Sequence, residues 1–119
     1  MVREPTIVDY LQAGLKVSGL RGKVIANNIA NLNTPGFKRS AVEFEKLLAD
    51  VMDASRPTDP GKLLPKIVCP NNTPTDETGN DVSLEAEVGE MVKNSATYKA
   101  YVRILTKLYT QMEAAMNVS

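Results

Sequence analysis

The apolar positions fall into two long helical stretches, separated by a segment that cannot be helical. From Thr6 to Leu32 one stripe runs through Val8, Leu11, Leu15, Ile25, Ile29 and Leu32 at three- and four-residue spacing, its middle filled by Ser18 and Gly22. A second stripe, Tyr10, Val17, Leu20 and Val24, lies on another side. Small residues recur every four positions at Gly14, Ser18, Gly22, Ala26 and Ala30, which lets a neighbouring backbone come close. Thr6-Ile7-Val8-Asp9, just after Pro5, has capping-box spacing, so the pattern predicts a helix over 6–32. Gly14, Gly19 and Gly22 each weaken that helix by about 1 kcal/mol relative to alanine, leaving it marginal until packed. Its two faces suit either burial on two sides of one core or contact with several neighbouring molecules.

Toward the C-terminus the apolar positions form a heptad: Leu84, Val88, Met91, Ser95, Tyr98, Val102, Leu105, Tyr109, Met112 and Met116, with Ser95 as one polar break. Val92, Tyr101, Ile104 and Leu108 widen the stripe, and the Met and Tyr positions read as core packing. Glu85, Glu87 and Glu90 suit the positive end of a helix predicted over 82–116. Between the long helices the pattern predicts a turn over 33–39. A short helix over 41–52 follows, from the Ser40-Ala41-Val42-Glu43 spacing and from Phe44, Leu47, Leu48, Val51 and Met52. Residues 53–80 hold Pro57, Pro60, Pro65, Pro70 and Pro74, which exclude a helix and leave at most short extended pieces such as Lys66-Ile67-Val68. Asp76 to Asp81 is acidic without calcium-loop spacing and reads as a turn.

The expected fold is therefore all-α, one domain over 1–119. Its long terminal helices pack antiparallel as a coiled coil, with one short helix after the turn and a proline-rich loop between. The last helix would be about 50 Å long, whereas a compact domain of this size has a radius of gyration of about 13–14 Å. The residues left over cannot wrap both helices. The remaining apolar rows must meet other molecules, most simply further copies of the chain.

Composition narrows the chemistry. Lysine plus arginine and aspartate plus glutamate number 14 each, so the chain lacks the basic surplus that nucleic acid binding needs. Zero net charge also permits dense self-association. There is no histidine, and Cys69 is the one cysteine, which excludes an internal disulfide, His/Cys metal sites and Ser-His or Cys-His nucleophiles. No cofactor is expected, and the chain does not read as an enzyme. No apolar run spans a bilayer, and Met1 to Pro5 lacks the apolar start of a secretory signal. Any route out of the cytoplasm would then proceed without a cleaved signal.

The densest motif is Ala26-Asn27-Asn28-Ile29-Ala30-Asn31-Leu32-Asn33-Thr34-Pro35-Gly36-Phe37. On a helix Asn27 and Asn31 share a face that Asn28 widens, and Thr34-Pro35-Gly36 then forces a tight turn, with type II the natural form. This run resembles the signature that closes the first helix of the bacterial flagellar axial proteins, the rod, hook and hook-associated proteins. Gly79-Asn80-Asp81-Val82-Ser83 leading to Met91-Val92-Lys93-Asn94 and Tyr98 is similar to the C-terminal segment of rod proteins. The short chain looks most like a proximal rod protein of the basal body. Val88-Gly89-Glu90-Met91 also resembles a sister proximal rod family, which stays open as the alternative.

The resemblance implies a structural subunit exported through the flagellar type III channel and placed in the periplasm. There it would stack helically around a central channel into a torque-carrying shaft, the C-terminal helix toward the channel and the proline-rich segment outward. Implied partners are other rod subunits, the basal-body base and export apparatus, and further copies. The assembly interface would use Asn27, Asn28, Asn31, Asn33, Thr34, Pro35, Gly36 and Phe37, and on the last helix Met91, Asn94, Tyr98, Tyr101, Leu105 and Tyr109. A reading of another class is a small helical adaptor or export chaperone that grips one partner through the Met- and Tyr-rich helix.

Overall fold

The computed structural model describes residues 4–53 and 59–117, apart from the side chain of Val51; Pro57 lies outside the described residues. Two long helices dominate, α1 (Ile7–Ala30) and α3 (Leu84–Met116), with α2 (Glu45–Met52) between them. The Asp9 carboxylate accepts the Thr6 N–H at 2.8 Å and so satisfies a donor at the start of α1. At α3 the Ser83 hydroxyl accepts the Ala86 N–H at 3.3 Å, and Glu85 and Glu87 occupy the first turn.

The fold is helix-dominated but not purely helical. Ala41–Glu43 forms a strand, β1, rather than the first turn of the short helix. It pairs antiparallel with β2 (Lys66–Val68) in the register Ala41 to Val68, Val42 to Ile67 and Glu43 to Lys66. Burial explains the switch. Val42 and Phe44 are both buried, and side chains two apart share a face only in a strand. Ser40 does not cap a helix, because its N–H and carbonyl are both bonded to the Asn28 side chain. The proline-rich segment also holds one 3-10 turn, Pro60–Lys62, where Asp59 accepts the Gly61 N–H at 2.9 Å.

The main apolar cluster joins Ala13, Val17 and Val24 of α1 to Val42 and Phe44, with Leu20, Leu48 and Leu63 against it. The second stripe of α1 therefore faces the sheet, α2 and the proline-rich segment. Another face of α1 meets α3. Asn94 donates to the Ser18 carbonyl at 2.8 Å, and Gln12 donates to the Tyr109 hydroxyl at 3.1 Å. The Tyr101 ring lies so close over Gly14 that a Cβ there would sit 2.6 Å from it. The small-residue row thus admits a bulky ring at Gly14 and an amide at Ser18.

The side of α3 that faces α1 runs through Glu87, Asn94, Tyr101 and Leu105, of which Glu87 and Leu105 are buried. This corrects most of the apolar heptad. Leu84, Val88, Val102, Tyr109, Met112 and Met116 remain largely exposed in the single chain, and so do Val92, Tyr98 and Ile104. Two long helices side by side give an elongated molecule of 68 × 32 × 16 Å with a radius of gyration of 18.1 Å. Among the described residues no helix is long and apolar enough to cross a membrane.

Candidate functional site

The asparagine-rich run ends α1 and turns the chain, and that turn is held both by its own bonds and by the segment leading into α3. Locally, the Asn31 side chain donates to the Asn27 carbonyl at 2.8 Å and accepts from the Thr34 hydroxyl at 3.1 Å. The Phe37 N–H returns to the Thr34 carbonyl at 3.2 Å, closing a turn over Pro35-Gly36. Gly36 has φ +75, the left-handed value a type II turn requires and a side chain resists.

The second layer comes from the segment leading into α3. Asn80 is 3% exposed. Its amide nitrogen reaches the carbonyls of Asn31, Leu32 and Thr34 at 2.9, 3.2 and 2.8 Å, and its amide oxygen accepts the Val82 N–H at 2.7 Å. Of those carbonyls, Asn31 and Thr34 also accept the Thr34 and Phe37 N–H groups, so the Asn80 amide reinforces the turn's own bonds. Gly36 N–H donates to the Thr78 carbonyl at 2.9 Å, and Asp81 N–H to the Phe37 carbonyl at 3.3 Å. The Asp81 carboxylate accepts the Arg39 N–H at 2.6 Å. Asp76 organises the approach by accepting the Thr78 hydroxyl at 2.6 Å and the Asn80 N–H at 3.1 Å. The Thr78 hydroxyl is the main cause that holds the Asp76 carboxyl below its usual range.

A buried polar knot closes the arrangement. Asn28 and Glu87 are each 0% exposed. The Asn28 amide donates to the Ser40 carbonyl at 2.8 Å and to a Glu87 oxygen at 3.2 Å, and accepts the Ser40 N–H at 2.9 Å. The other Glu87 oxygen takes the Arg39 Nε at 2.6 Å. No buried side-chain polar atom among the described residues lacks a partner. Nearby, Arg21 forks onto both Glu45 oxygens and also donates to the Val42 carbonyl at 3.1 Å, tying α1 to β1 and α2. That guanidinium is the chief reason the Glu45 carboxyl is held below the ordinary glutamate range.

The interface residues expected from the motif therefore divide. Asn33, Thr34, Pro35 and Gly36 are exposed at the turn, with Asn27 beside them on the last turn of α1; Asn31 and Phe37 are half-buried. Asn28 is corrected: its side chain works inside the chain and offers nothing to a neighbour. Leu105 is buried as well, against α1. Met91, Asn94 and Tyr101 are half-buried, Asn94 and Tyr101 against α1, whereas Tyr98 and Tyr109 are exposed. The two groups do not meet in one patch, since Met91 to Tyr109 alone extends about 27 Å along α3.

Arg39, Asn80, Asp81 and Glu87 carry the closure but are absent from the residues that the motif singles out. Glu87 reads from sequence as a helix-end charge. The signal that could have found it is the seven-residue step Glu87, Asn94, Tyr101, which marks one helix face. Among the described residues no group of side chains is placed to hold a metal ion. The site is a piece of architecture: it fixes the exit of α1 to the entrance of α3 and displays a rigid exposed turn.

Comparison with known proteins bears on what such an architecture is for. A family model described as "Flagella basal body rod protein" matches residues 20–38, the end of α1 and the asparagine-rich turn. The chain is 26% identical to the flagellar basal body rod protein FlgB of Bacillus subtilis, over 92% of each chain. It is 32% identical to FlgB of Borreliella burgdorferi, over 76% of this chain and 81% of the relative. It is 30% identical to FlgB of Borrelia hermsii, over 82% and 85%.

Proposed function

Since this chain belongs to the FlgB family of flagellar basal body rod proteins, and is thus a structural subunit of the rod rather than an enzyme, we propose that it builds the proximal rod through its two long helices. These run antiparallel as a coiled-coil pair within each subunit. The relatives that align over most of the chain are FlgB proteins, which favours this family over its sister proximal rod family.

The observation that carries the reading is the unpartnered side of α3. Of 33 residues in that helix only Glu87 and Leu105 are buried. Val88, Val92, Val102 and Met112 stand 41–65% exposed, more apolar surface than one helix face of a free-standing subunit usually shows. Neighbouring subunits cover that face as the copies stack helically around a channel. Asn33, Thr34, Pro35 and Gly36 meet the next subunit at the end of the pair, held rigid by Asn80 and Asp81. Met91, Asn94 and Tyr101 hold the seam that sets the helix spacing, while Tyr98 and Tyr109 reach neighbours. Other rod proteins and the export base are the remaining partners. The subunit arrives in the periplasm unfolded, by type III export, and folds on assembly. A helix interrupted by Gly14, Gly19 and Gly22 suits that route, because it gains its stability only on packing.

The test places charge on the exposed face. Val88→Glu with Val102→Glu leaves the helicity of the purified subunit unchanged, since neither side chain is buried. In a strain lacking its own copy of the rod subunit, the variant does not restore motility or rod-containing basal bodies. Normal swimming by that variant would remove this face from the assembly.

A further inference from the structure

The contacts between α3 and the rest of the chain are gathered at one end. At the start of α3 the Asn80 amide holds the carbonyls of Asn31, Leu32 and Thr34, and the Asp81 carboxylate accepts the Arg39 N–H at 2.6 Å. The Gly36 and Asp81 N–H groups join the same two segments, donating to the Thr78 and Phe37 carbonyls. Glu87 closes this end, its oxygens taken by Arg39 and Asn28. Beyond Glu87 the seam thins. Among the described residues two hydrogen bonds cross it, from Asn94 to the Ser18 carbonyl at 2.8 Å and from Gln12 to the Tyr109 hydroxyl at 3.1 Å. Leu105 is the one buried side chain of α3 after Glu87.

α1 also runs out before α3 does. Glu87 meets Asn28, Asn94 meets Ser18 and Tyr101 meets Gly14, so the contacts run in opposite order along the two helices. α1 starts at Ile7, seven residues before Gly14, which sets its start opposite Leu108, seven residues after Tyr101. Residues 109–116 therefore extend past it, about 12 Å of helix at 1.5 Å per residue, and all of them are exposed. The main apolar cluster draws no residue from α3. Parting the far end of the seam exposes Leu105 yet leaves that cluster closed, which is the condition for a local opening rather than a global one.

We propose that α3 is a lever. It is clamped to the exit turn of α1 from Asn80 to Glu87, swings about Glu87 as a straight helix, and parts from α1 at its far end. From Glu87 to Met116 the helix extends about 44 Å, so a tilt of about 10° carries its tip about 8 Å while Glu90 moves under about 1 Å. The swing breaks the Asn94 and Gln12 hydrogen bonds and lifts the Tyr101 ring off Gly14. It leaves the buried Glu87 charge paired with Arg39, and so avoids the loss that is hardest to offset inside a fold. The exit turn keeps its form while the exposed apolar face of α3 takes up more than one angle to it. The swing belongs to the single chain and does not depend on the rod reading.

Pulsed electron spin resonance on the full chain reads the swing as the spread of distance between paired spin labels. Cys69 is exposed and is first removed by Cys69→Ser. Cysteines are then introduced in pairs at exposed positions. Lys23→Cys with Lys93→Cys spans the clamped end. Lys16→Cys with Gln111→Cys spans the far end, and Lys99→Cys with Gln111→Cys lies within α3. Labelled chain is diluted into unlabelled chain below the onset of large species, and circular dichroism checks that helicity is that of the wild type. The far pair gives a distribution at least about twice as wide as the clamped pair, and the pair within α3 stays as narrow as the clamped one. Leu105→Ala widens the far pair again and leaves the clamped pair unchanged. A far pair as narrow as the clamped pair would overturn the pivot. So would a broad distribution within α3, because the far end then frays instead of swinging. Equal broadening of all three pairs, or a chain without helicity, would show that the clamp does not hold and would overturn it as well.

Discussion

Replacing Glu87 by alanine tests whether the buried knot holds the two ends of the chain together. Glu87 is fully enclosed, and its two oxygens accept from Arg39 at 2.6 Å and from Asn28 at 3.2 Å. Truncation leaves the Arg39 guanidinium, whose side chain is only 13% exposed, without its carboxylate. Removing one partner of a buried ion pair costs about 3–5 kcal/mol. Three features put this case at the lower end. Arg39 keeps a strip of solvent contact, the Asn28 amide retains its Ser40 carbonyl, and the Arg39 backbone stays bonded to Asp81. The expected loss is about 3 kcal/mol, a large share of the 5–15 kcal/mol typical of a domain. At this chain length it lowers the melting temperature by roughly 10 °C. Glu87→Gln keeps the shape and one acceptor and loses about half as much. Glu87→Leu with Arg39→Met removes both charges together and recovers part of the loss. The assay is thermal unfolding followed by far-ultraviolet circular dichroism, at protein concentrations below the onset of large species. Melting of the alanine variant within about 2 °C of wild type would show that the knot contributes little, and that the Asn80 contacts alone anchor the turn.

Three other outcomes follow from the same contacts. Gly14→Ala pushes a methyl into the Tyr101 ring and destabilises by about 1–3 kcal/mol in denaturant unfolding, and Tyr101→Leu in the same chain relieves most of it. Gly19→Ala meets nothing within 4 Å and stabilises by about 0.5–1 kcal/mol, so a loss from it would show that α1 is strained there. Asn80→Ala strips three carbonyls of one donor and lowers stability by about 2–3 kcal/mol, with amide exchange of Gly36 and Phe37 accelerating first. The fourth concerns acid. Because Arg21 depresses the Glu45 carboxyl, that pair contributes above the ordinary glutamate range and fades as pH falls through the lower folded value. Arg21→Met therefore narrows the stability gap between about pH 6 and pH 3, by under about 1 kcal/mol since Glu45 is mostly exposed. An unchanged gap would mean that the pair is not formed in solution.

What the sequence determined by itself was everything with a local cause. The two long helices follow from three- and four-residue spacing, their starts from Thr6 with Asp9 and from the glutamates of the last helix's first turn, and their interruption from five prolines in 53–80. The turn at Thr34-Pro35-Gly36 was legible because proline fixes one φ and glycine permits the positive one. The asparagine run lies where family likeness and the closing contacts from Asn80 coincide.

Other features were decided only by tertiary contacts. Residues 41–43 have helical spacing yet form a strand, because burying both Val42 and Phe44 against α1 outweighs a local cap whose serine backbone is already bonded to Asn28. Hydrophobicity alone could not say which side of α3 turns inward. That depended on α1, whose Gly14 and Ser18 leave room for Tyr101 and a carbonyl for Asn94, and so drew a polar row inward and left Val88 and Val102 outside. Glu87 and Asn28 likewise pass for surface residues in a linear reading. A buried polar group is stable only where all its partners converge, and these converge from segments as far apart as 59 positions. Propensity acts over a few residues, whereas the satisfaction of buried polar atoms is a property of the whole folded chain.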